Sequence, residues 1–185
     1  MAGKGNLQQS DAALVVIDMQ EAFRHAIADF SLIASRISTA VRGFRILDVP
    51  IIVSEQYPKG LGHTAEEIAL ILPDDIEIIE KTSFSCCGEK VFIERLNGLG
   101  VKHIAVCGIE AHVCVNQTVH DLLTLGFDVH LLTDCVGSRF DHDCRAGIAK
   151  MRGAGAVDSS VEVALFEMMR DARHPKFREI QEIIK

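Results

Sequence analysis

Continuous apolar runs alternate with segments of helical periodicity along the chain. Ala13–Ile17 is an uninterrupted apolar run, which is typical of a strand buried on both faces of a sheet. From about Ile27 to Leu47 the apolar residues recur at helical spacing instead, and Pro50 ends that helix. Further strands are predicted at Ile51–Val53, Ile76–Glu80, His103–Cys107, Val129–Leu132 and around Val157–Val163. Further helices are predicted at Glu89–Leu96, about His112–Leu125, Asp141–Arg152 and, with a break at Pro175, Phe166–Ile184.

The order of these elements predicts the fold class. Strands that alternate with helices of this length form βαβ units, so we expect an α/β protein. Its sheet should be mostly parallel, contain about six strands and be covered by helices on both faces. The chain shows no repeat and no linker. We therefore expect one domain over residues 1–185, with an N-terminal extension over 1–10 and a C-terminal helical tail over 164–185.

Composition and charge argue against two classes of partner. Of the 185 residues, 48% are apolar and 24% are charged, as in globular proteins. The formal net charge is -7 and no basic cluster appears, which argues against nucleic acid as a partner. No apolar run approaches the roughly 20 residues of a membrane helix, and the first residues lack the apolar region of a secretory signal. We expect a partner that is neither nucleic acid nor membrane.

The cysteines indicate the compartment. They are Cys86, Cys87, Cys107, Cys114, Cys135 and Cys144. A chain of this length does not need disulfides to be stable, and the cysteines form no CxxC pair and no common zinc spacing. We expect mostly free thiols in a reducing compartment, the cytoplasm, and no metal site.

Reactive side chains follow the predicted strands. In an open parallel sheet the C-terminal ends of the strands lie on one edge, where ligands bind. Asp18, Glu55, Lys81, Cys114 and Asp134 each follow one of five predicted strands, so we expect them to converge on that edge. Glu55 and Asp134 have no evident role there.

Three of these residues form a chemically coherent set. The reference pKa of a thiol, about 8.5, falls beside a cation or at a helix N-terminus, so Lys81 and the predicted helix should lower the pKa of Cys114. Asp18 can accept the thiol proton, and backbone N–H groups near Cys114 can bind a developing oxyanion. Taken singly, each residue also has a structural interpretation: Cys114 as a packing residue, Asp18 as a helix cap and Lys81 as a surface lysine.

Three segments carry a family resemblance. "ALVVIDMQEAF", "IEKTSFS" and "VCGIEAHVCVNQT" resemble the motifs of the isochorismatase-like cysteine hydrolases, which include nicotinamidases and N-carbamoylsarcosine amidohydrolases. The resemblance runs from about Asp11 to Val163. Together with "SEQYPKGLG" and "HPKFREIQ", the third segment looks most like the small isochorismatase-domain proteins. The resemblance implies a three-layer Rossmann-like fold.

The resemblance also implies site residues. By motif position, Cys114 is the nucleophile and Asp18 and Lys81 complete a catalytic triad. A cis peptide bond is implied between Ile109 and Glu110, and the N–H groups of Glu110 and Cys114 would form the oxyanion hole. The implied substrate pocket takes Phe23, Gln56, Tyr57 and Phe84.

The chain departs from its better-known relatives after the second strand. Nicotinamidases carry an Asp/His cluster there that binds a metal, whereas this chain has Ser54–Tyr57, and its nearest histidine is His63. We therefore expect no metal and no cofactor. Several true isochorismatases lack the nucleophilic cysteine, so the presence of Cys114 argues against isochorismate as the substrate.

Three functional hypotheses follow. The first is a cofactor-independent cysteine hydrolase that cleaves an amide-like C–N bond of a small molecule through a thioester. The alternatives are an isochorismatase-type vinyl-ether hydrolase and a catalytically silent oligomeric binding protein. The apolar tail and the resemblance favour a homo-oligomer. His112 lies two positions before Cys114 and therefore faces another side of the helix, so we expect it to be structural or at an interface. Cys86 and Cys87 are interpreted as loop thiols.

Overall fold

The computed structural model describes residues 5–185 and contains a six-stranded sheet whose strands are all parallel. The strands are β1 (Ala12–Ile17), β2 (Ile51–Gln56), β3 (Ile79–Lys81), β4 (His103–Ile109), β5 (Asp128–Gly137) and β6 (Val157–Ser159). Their order in the sheet is β3-β2-β1-β4-β5-β6. The predicted α/β class and the parallel sheet of about six strands are confirmed.

Helices connect these strands and flank the sheet. The α-helices of the described residues are α1 (Phe30–Ile46), α2 (Pro58–Leu61), α3 (Glu66–Ala69), α4 (Lys90–Leu99), α5 (Asn116–Thr124), α6 (Asp141–Ala154), α7 (Val161–Met169) and α8 (Phe177–Ile184). A π-helical turn, Ala111–Val115, leads directly into α5. In residues 5–185, no helix has both the length and the apolar character needed to cross a membrane.

The two faces of the sheet are covered by different helices. Along β1, Leu14 and Val16 pack in the apolar cluster formed with α1, α7 and α8. Val15 and Ile17 point to the opposite cluster, which is formed with α4, α5 and α6. Every residue of β1 is buried, because both faces of the strand are covered. This is why the strand appears in the sequence as an unbroken apolar run.

The strand order reverses between β1 and β4. From β1 the chain builds outward through β2 to β3, then returns to place β4 on the other side of β1 and continues outward to β6. Ligand sites of open parallel sheets lie at such a reversal, beyond the C-terminal ends of the two strands. Asp18 follows β1 and Cys114 follows β4, so both lie at this point.

The prediction of the last strand is wrong for its second half. The strand ends at Ser159, and Val161 begins α7 instead. The Ser160 hydroxyl accepts a hydrogen bond from the N–H of Val163 at 3.3 Å, and Asp134 accepts one from Val161 at 3.1 Å. These two hydrogen bonds satisfy N–H groups of the first helical turn and favour a helix there, although Val161 and Val163 are β-branched. The predicted break at Pro175 is confirmed, because it lies between α7 and α8.

The start of the chain and the third strand also differ from expectation. Part of the predicted N-terminal extension, residues 1–4, lies outside the described residues. The third strand covers Ile79–Lys81 rather than Ile76–Glu80, so Lys81 is its last residue. The ammonium group of Lys81 is therefore carried by the strand itself and not by the loop that follows.

Candidate active site

Asp18 is placed at the switch point by the close approach of two strands. A Cβ atom added to Gly108 of β4 would lie 2.0 Å from the carbonyl oxygen of Ile17, so only glycine permits this spacing. Asp18 has a φ of 49°, in the left-handed region that aspartate tolerates better than most residues. Its N–H donates to the carbonyl oxygen of Ser54 at 3.1 Å, and its side chain is buried.

Lys81 points its ammonium group at Asp18. The Nζ atom lies 2.6 Å from Oδ2 of Asp18 and 2.6 Å from Oε1 of Gln56, and it donates to the carbonyl oxygens of Ser83 and Phe84 at 3.2 and 3.0 Å. The lysine side chain is 0% exposed and that of the aspartate 2%. The surrounding oxygens satisfy the three ammonium protons, as a buried charge requires.

Cys114 lies in the π-helical turn above this ion pair and is buried. Burial raises the pKa of its thiol well above the ordinary value, and the negative charge of Asp18 raises it further. Lys81 lowers the pKa only in part. The predicted lowering of the Cys114 pKa is therefore wrong for the resting protein, since burial and the carboxylate outweigh the ammonium group. A raised pKa favours the neutral thiol, and this thiol lies beside the Asp18 side chain.

The segment that precedes Cys114 is fixed from two sides. The peptide bond between Ile109 and Glu110 is cis. The Glu110 carboxylate is buried and accepts hydrogen bonds from the N–H and Nε of Arg139 at 2.9 and 3.0 Å. A Cβ atom on Gly147 of α6 would lie 2.7 Å from the carbonyl oxygen of Ala111, so α6 packs directly on the turn. The N–H groups of Glu110 and Cys114 thus belong to a tightly held segment.

The residues predicted for the substrate pocket take different places. Gln56 accepts from Lys81 and donates to the carbonyl oxygen of Thr82 at 2.9 Å, so it fixes the lysine rather than standing free. Tyr57, with a φ of 37°, and Phe84 are each 54% exposed beside the ion pair. Phe23 is half-buried and packs on the α1 side of the core. The structure brings Gln56, Tyr57 and Phe84 around Lys81 and leaves Phe23 further along the loop after β1.

Glu55 binds the loop that contains His63 and Thr64. Its buried carboxylate accepts from the N–H and hydroxyl of Thr64 at 2.6 and 2.8 Å and lies 3.1 Å from Nδ1 of His63. It therefore fixes the loop that follows α2. Within residues 5–185, no group of three or more His, Cys, Asp or Glu side chains is arranged to hold a metal ion.

Asp134 and His112 likewise make contacts away from Cys114. The Asp134 carboxylate lies 2.6 Å from Nη2 of Arg36 and caps the start of α7. Nδ1 of His112 lies 3.0 Å from the hydroxyl of Ser138, in the turn after β5. His112 thus joins two loops, which agrees with the structural role predicted for it.

Sequence reasoning missed Ser54 and Gln20, and its interpretation of Cys86 as a loop thiol is wrong, because Cys86 is buried beside Ser54. Ser54 donates to Oδ1 of Asp18 at 2.8 Å, and the thiol of Cys86 lies 3.4 Å from the Ser54 hydroxyl. Gln20 accepts from the N–H of Gln56 at 2.7 Å and donates to its carbonyl oxygen at 3.0 Å. The available signal was weak: Ser54 is a polar residue that directly continues an apolar strand run. All six cysteines, which lie within the described residues, are free thiols.

Comparisons with known proteins identify the family and the fold. The family model of the isochorismatase domain matches residues 12–163. The chain is 37% identical over 185 residues to isochorismatase domain-containing protein 2 of Danio rerio, covering 100% of this chain and 92% of the relative. It is 40% identical over 181 residues to isochorismatase domain-containing protein 1 of Salmo salar, covering 98% of this chain and 63% of the relative. The solved structure of the MAR1 ribonuclease from Caenorhabditis elegans is similar with a TM-score of 0.93 at 38% identity, covering 97% of this chain and 92% of that one.

Proposed function

Because the chain belongs to the isochorismatase family, we propose that it is a cysteine hydrolase that cleaves an amide-like C–N bond of a small molecule. The observation that carries the proposal is the buried pair of Asp18 and Lys81, 2.6 Å apart, placed beside the thiol of Cys114. A structural cysteine needs neither a carboxylate nor an ammonium group next to it. Asp18, Lys81 and Cys114 are the triad of this proposal, which needs no metal and no cofactor.

The first half of the reaction acylates Cys114. As the sulfur attacks the substrate carbonyl carbon, Asp18 accepts the thiol proton, so no free thiolate has to accumulate. Lys81 keeps the carboxylate in place and balances its charge until the proton arrives. The N–H groups of Glu110 and Cys114 bind the oxyanion of the tetrahedral intermediate. The intermediate collapses when the C–N bond breaks and the amine leaves with the proton from Asp18.

The second half releases the acid. Asp18 is again a carboxylate and accepts a proton from the attacking water, while the same N–H groups bind the second oxyanion. The C–S bond then breaks, and the thiolate recovers its proton from Asp18. Tyr57 and Phe84, both half exposed beside Lys81, are suited to contact the apolar part of a small substrate.

The test is a panel of small primary amides and N-carbamoyl compounds, with ammonia release as the assay. Peptide mass spectrometry then locates the acyl group on trapped enzyme. Cys114→Ala should abolish turnover and acylation, and Asp18→Asn should reduce both by at least about a hundredfold. Cys107→Ala is the matched control, because Cys107 is also a buried thiol but packs in the cluster on the α1 side.

Two results would contradict the proposal. One is full turnover in Cys114→Ala, which would favour vinyl-ether hydrolysis and should be followed with isochorismate. The other is the absence of any acyl adduct on Cys114 across the panel. An RNA oligonucleotide is tested separately, with strand cleavage as the readout, because the similar protein from Caenorhabditis elegans is named a ribonuclease. The net charge of -7 does not favour RNA as the substrate.

A further inference from the structure

Ser54 makes two hydrogen bonds to Asp18. Its carbonyl oxygen accepts from the N–H of Asp18 at 3.1 Å, and its hydroxyl donates to Oδ1 at 2.8 Å. Ser54 is fully buried in β2, next to β1, and Asp18 is buried as well. The main chain and the side chain of Ser54 therefore both bind the same aspartate.

The Cys86 thiol contacts the oxygen of the Ser54 hydroxyl. Its thiol lies 3.4 Å from the Ser54 oxygen, and its N–H donates to the hydroxyl of Thr118 at 3.0 Å, which fixes Cys86 against α5. Burial, followed by the charge of Asp18, raises the pKa of Cys86 to about 11, so the thiol keeps its proton at neutral pH and can donate it. A hydroxyl has one proton. With Cys86 donating to its oxygen, Ser54 directs that proton to Asp18.

The two oxygens of the carboxylate are therefore held by different strands. Ser54 of β2 binds Oδ1 at 2.8 Å, and Lys81 of β3 binds Oδ2 at 2.6 Å. Two bonds to opposite oxygens fix the plane of the carboxylate. The other titratable groups that face it are Cys86, from the turn that precedes α4, and Cys114, from the turn that precedes α5.

We infer that Ser54, with Cys86 behind it, is a positioning residue that holds the Asp18 carboxylate in the orientation needed to accept the proton of Cys114. The inference rests on the proposed cysteine hydrolase function. A serine that only fills its place in β2 would affect stability. A positioning serine also affects the pH at which Asp18 can act as a base, because its hydrogen bond favours the charged carboxylate.

The experiment measures the rate of Cys114 alkylation by iodoacetamide as a function of pH, read by peptide mass spectrometry on the intact chain. In wild type the rate should fall on the acid side where the carboxylate becomes protonated, and Asp18→Asn should abolish this acid limb. In Ser54→Ala we expect the limb to move up by about one pH unit, because a hydrogen bond to the carboxylate is lost. Ser54→Thr keeps the hydroxyl and should restore the wild-type limb.

The outcomes separate this inference from the proposed function. If wild type and Asp18→Asn have the same profile, the proposed function fails. If the Asp18-dependent limb exists but does not move in Ser54→Ala, only the positioning role is overturned. Should Ser54→Ala not fold, Cys86→Ala decides: a limb moved up by roughly half a unit supports the inference, and an unmoved limb overturns it. Cys107→Ala is the control for loss of a buried thiol.

Discussion

Replacing Lys81 with methionine tests whether the buried ion pair organises the site. Methionine has a similar length but no charge and no donor, so the Asp18 carboxylate is left buried without a counter-charge. The Gln56 side chain and two backbone carbonyl oxygens lose their donor as well. Removing one partner of a buried pair costs about 3–5 kcal/mol of folding free energy. For a chain of this length, that is a fall in melting temperature of roughly 6–20 °C.

The assay is a double-mutant cycle in urea and thermal unfolding. Lys81→Met, Asp18→Asn and the double variant are compared with wild type. Because the double variant contains no unpaired charge, it should be more stable than the sum of the single effects by about 1–3 kcal/mol. Lys90→Met is the matched control, since Lys90 is 87% exposed and pairs with Glu94 at the surface, and we expect it to change stability by less than about 0.5 kcal/mol.

Two readouts would refute this reasoning. Additivity of Lys81→Met and Asp18→Asn would mean that the pair contributes no coupling energy. A stability loss no larger than that of Lys90→Met would mean that the charge is not buried in solution. The chemistry should agree with the stability: Lys81 lowers the pKa of Cys114, so its loss should slow the alkylation of Cys114 near neutral pH.

Three further predictions concern other parts of the structure. Burial, and a second histidine beside it, lower the pKa of His130 from its ordinary value of 6.5 to about 4. As pH falls below about 6.5, the imidazole therefore binds a proton in the unfolded chain before it does so in the folded one, and folding free energy is lost. Between pH 8 and pH 5, the free energy of unfolding in urea should fall by about 2 kcal/mol more in wild type than in His130→Leu. Equal falls in the two proteins would contradict this prediction. Gly108→Ala should destabilise the protein by about 3 kcal/mol, because the added Cβ would meet backbone atoms of Ile17. Gly98→Ala in α4 is the control and should stabilise by about 0.5–1 kcal/mol, because nothing lies within 4 Å of its Cβ. Similar melting temperatures of the two variants would argue against the close strand contact. Glu110→Ala removes the contacts with Arg139 in the turn after β5 and should slow acylation of Cys114 about tenfold, whereas Glu110→Gln should be closer to wild type. Equal acylation rates in the two variants would show that the carboxylate does not contribute.

The sheet could be predicted from the sequence because its strands are covered on both faces. Burial of both faces makes Ala13–Ile17 an unbroken apolar run, and the intervening amphipathic helices have their own period. The end of β6 could not be predicted in this way. Val157–Val163 has the composition of a strand, and only the contacts of Ser160 and Asp134 with the first turn of α7 change it to a helix. The family indicated by the three motifs is confirmed.

The edge residues could be predicted as a group but not sorted by role. Asp18 and Cys114 follow their strands. The other three, Glu55, Lys81 and Asp134, lie in the C-terminal halves of theirs, so the parallel sheet alone brings the whole group towards one edge. The strand pattern does not reveal their partners: Arg36 lies 98 positions from Asp134, and Thr64, which binds Glu55, lies in the loop that follows α2. The contacts of Ser54 with Asp18 depend on strand register, which the sequence pattern does not reveal.

The direction of the Cys114 pKa shift has a consequence for how the site would work. A thiol can be activated by a cation that lowers its pKa or by a base that takes its proton during attack. Here burial and the nearby carboxylate raise the pKa, so the second route is the one that the electrostatics favour. On that route the rate depends on where the carboxylate points when the carbonyl arrives, and less on the resting population of thiolate. This is why the contacts of Asp18 with Lys81 and Ser54 matter more to the proposed chemistry than the helix that begins beside Cys114.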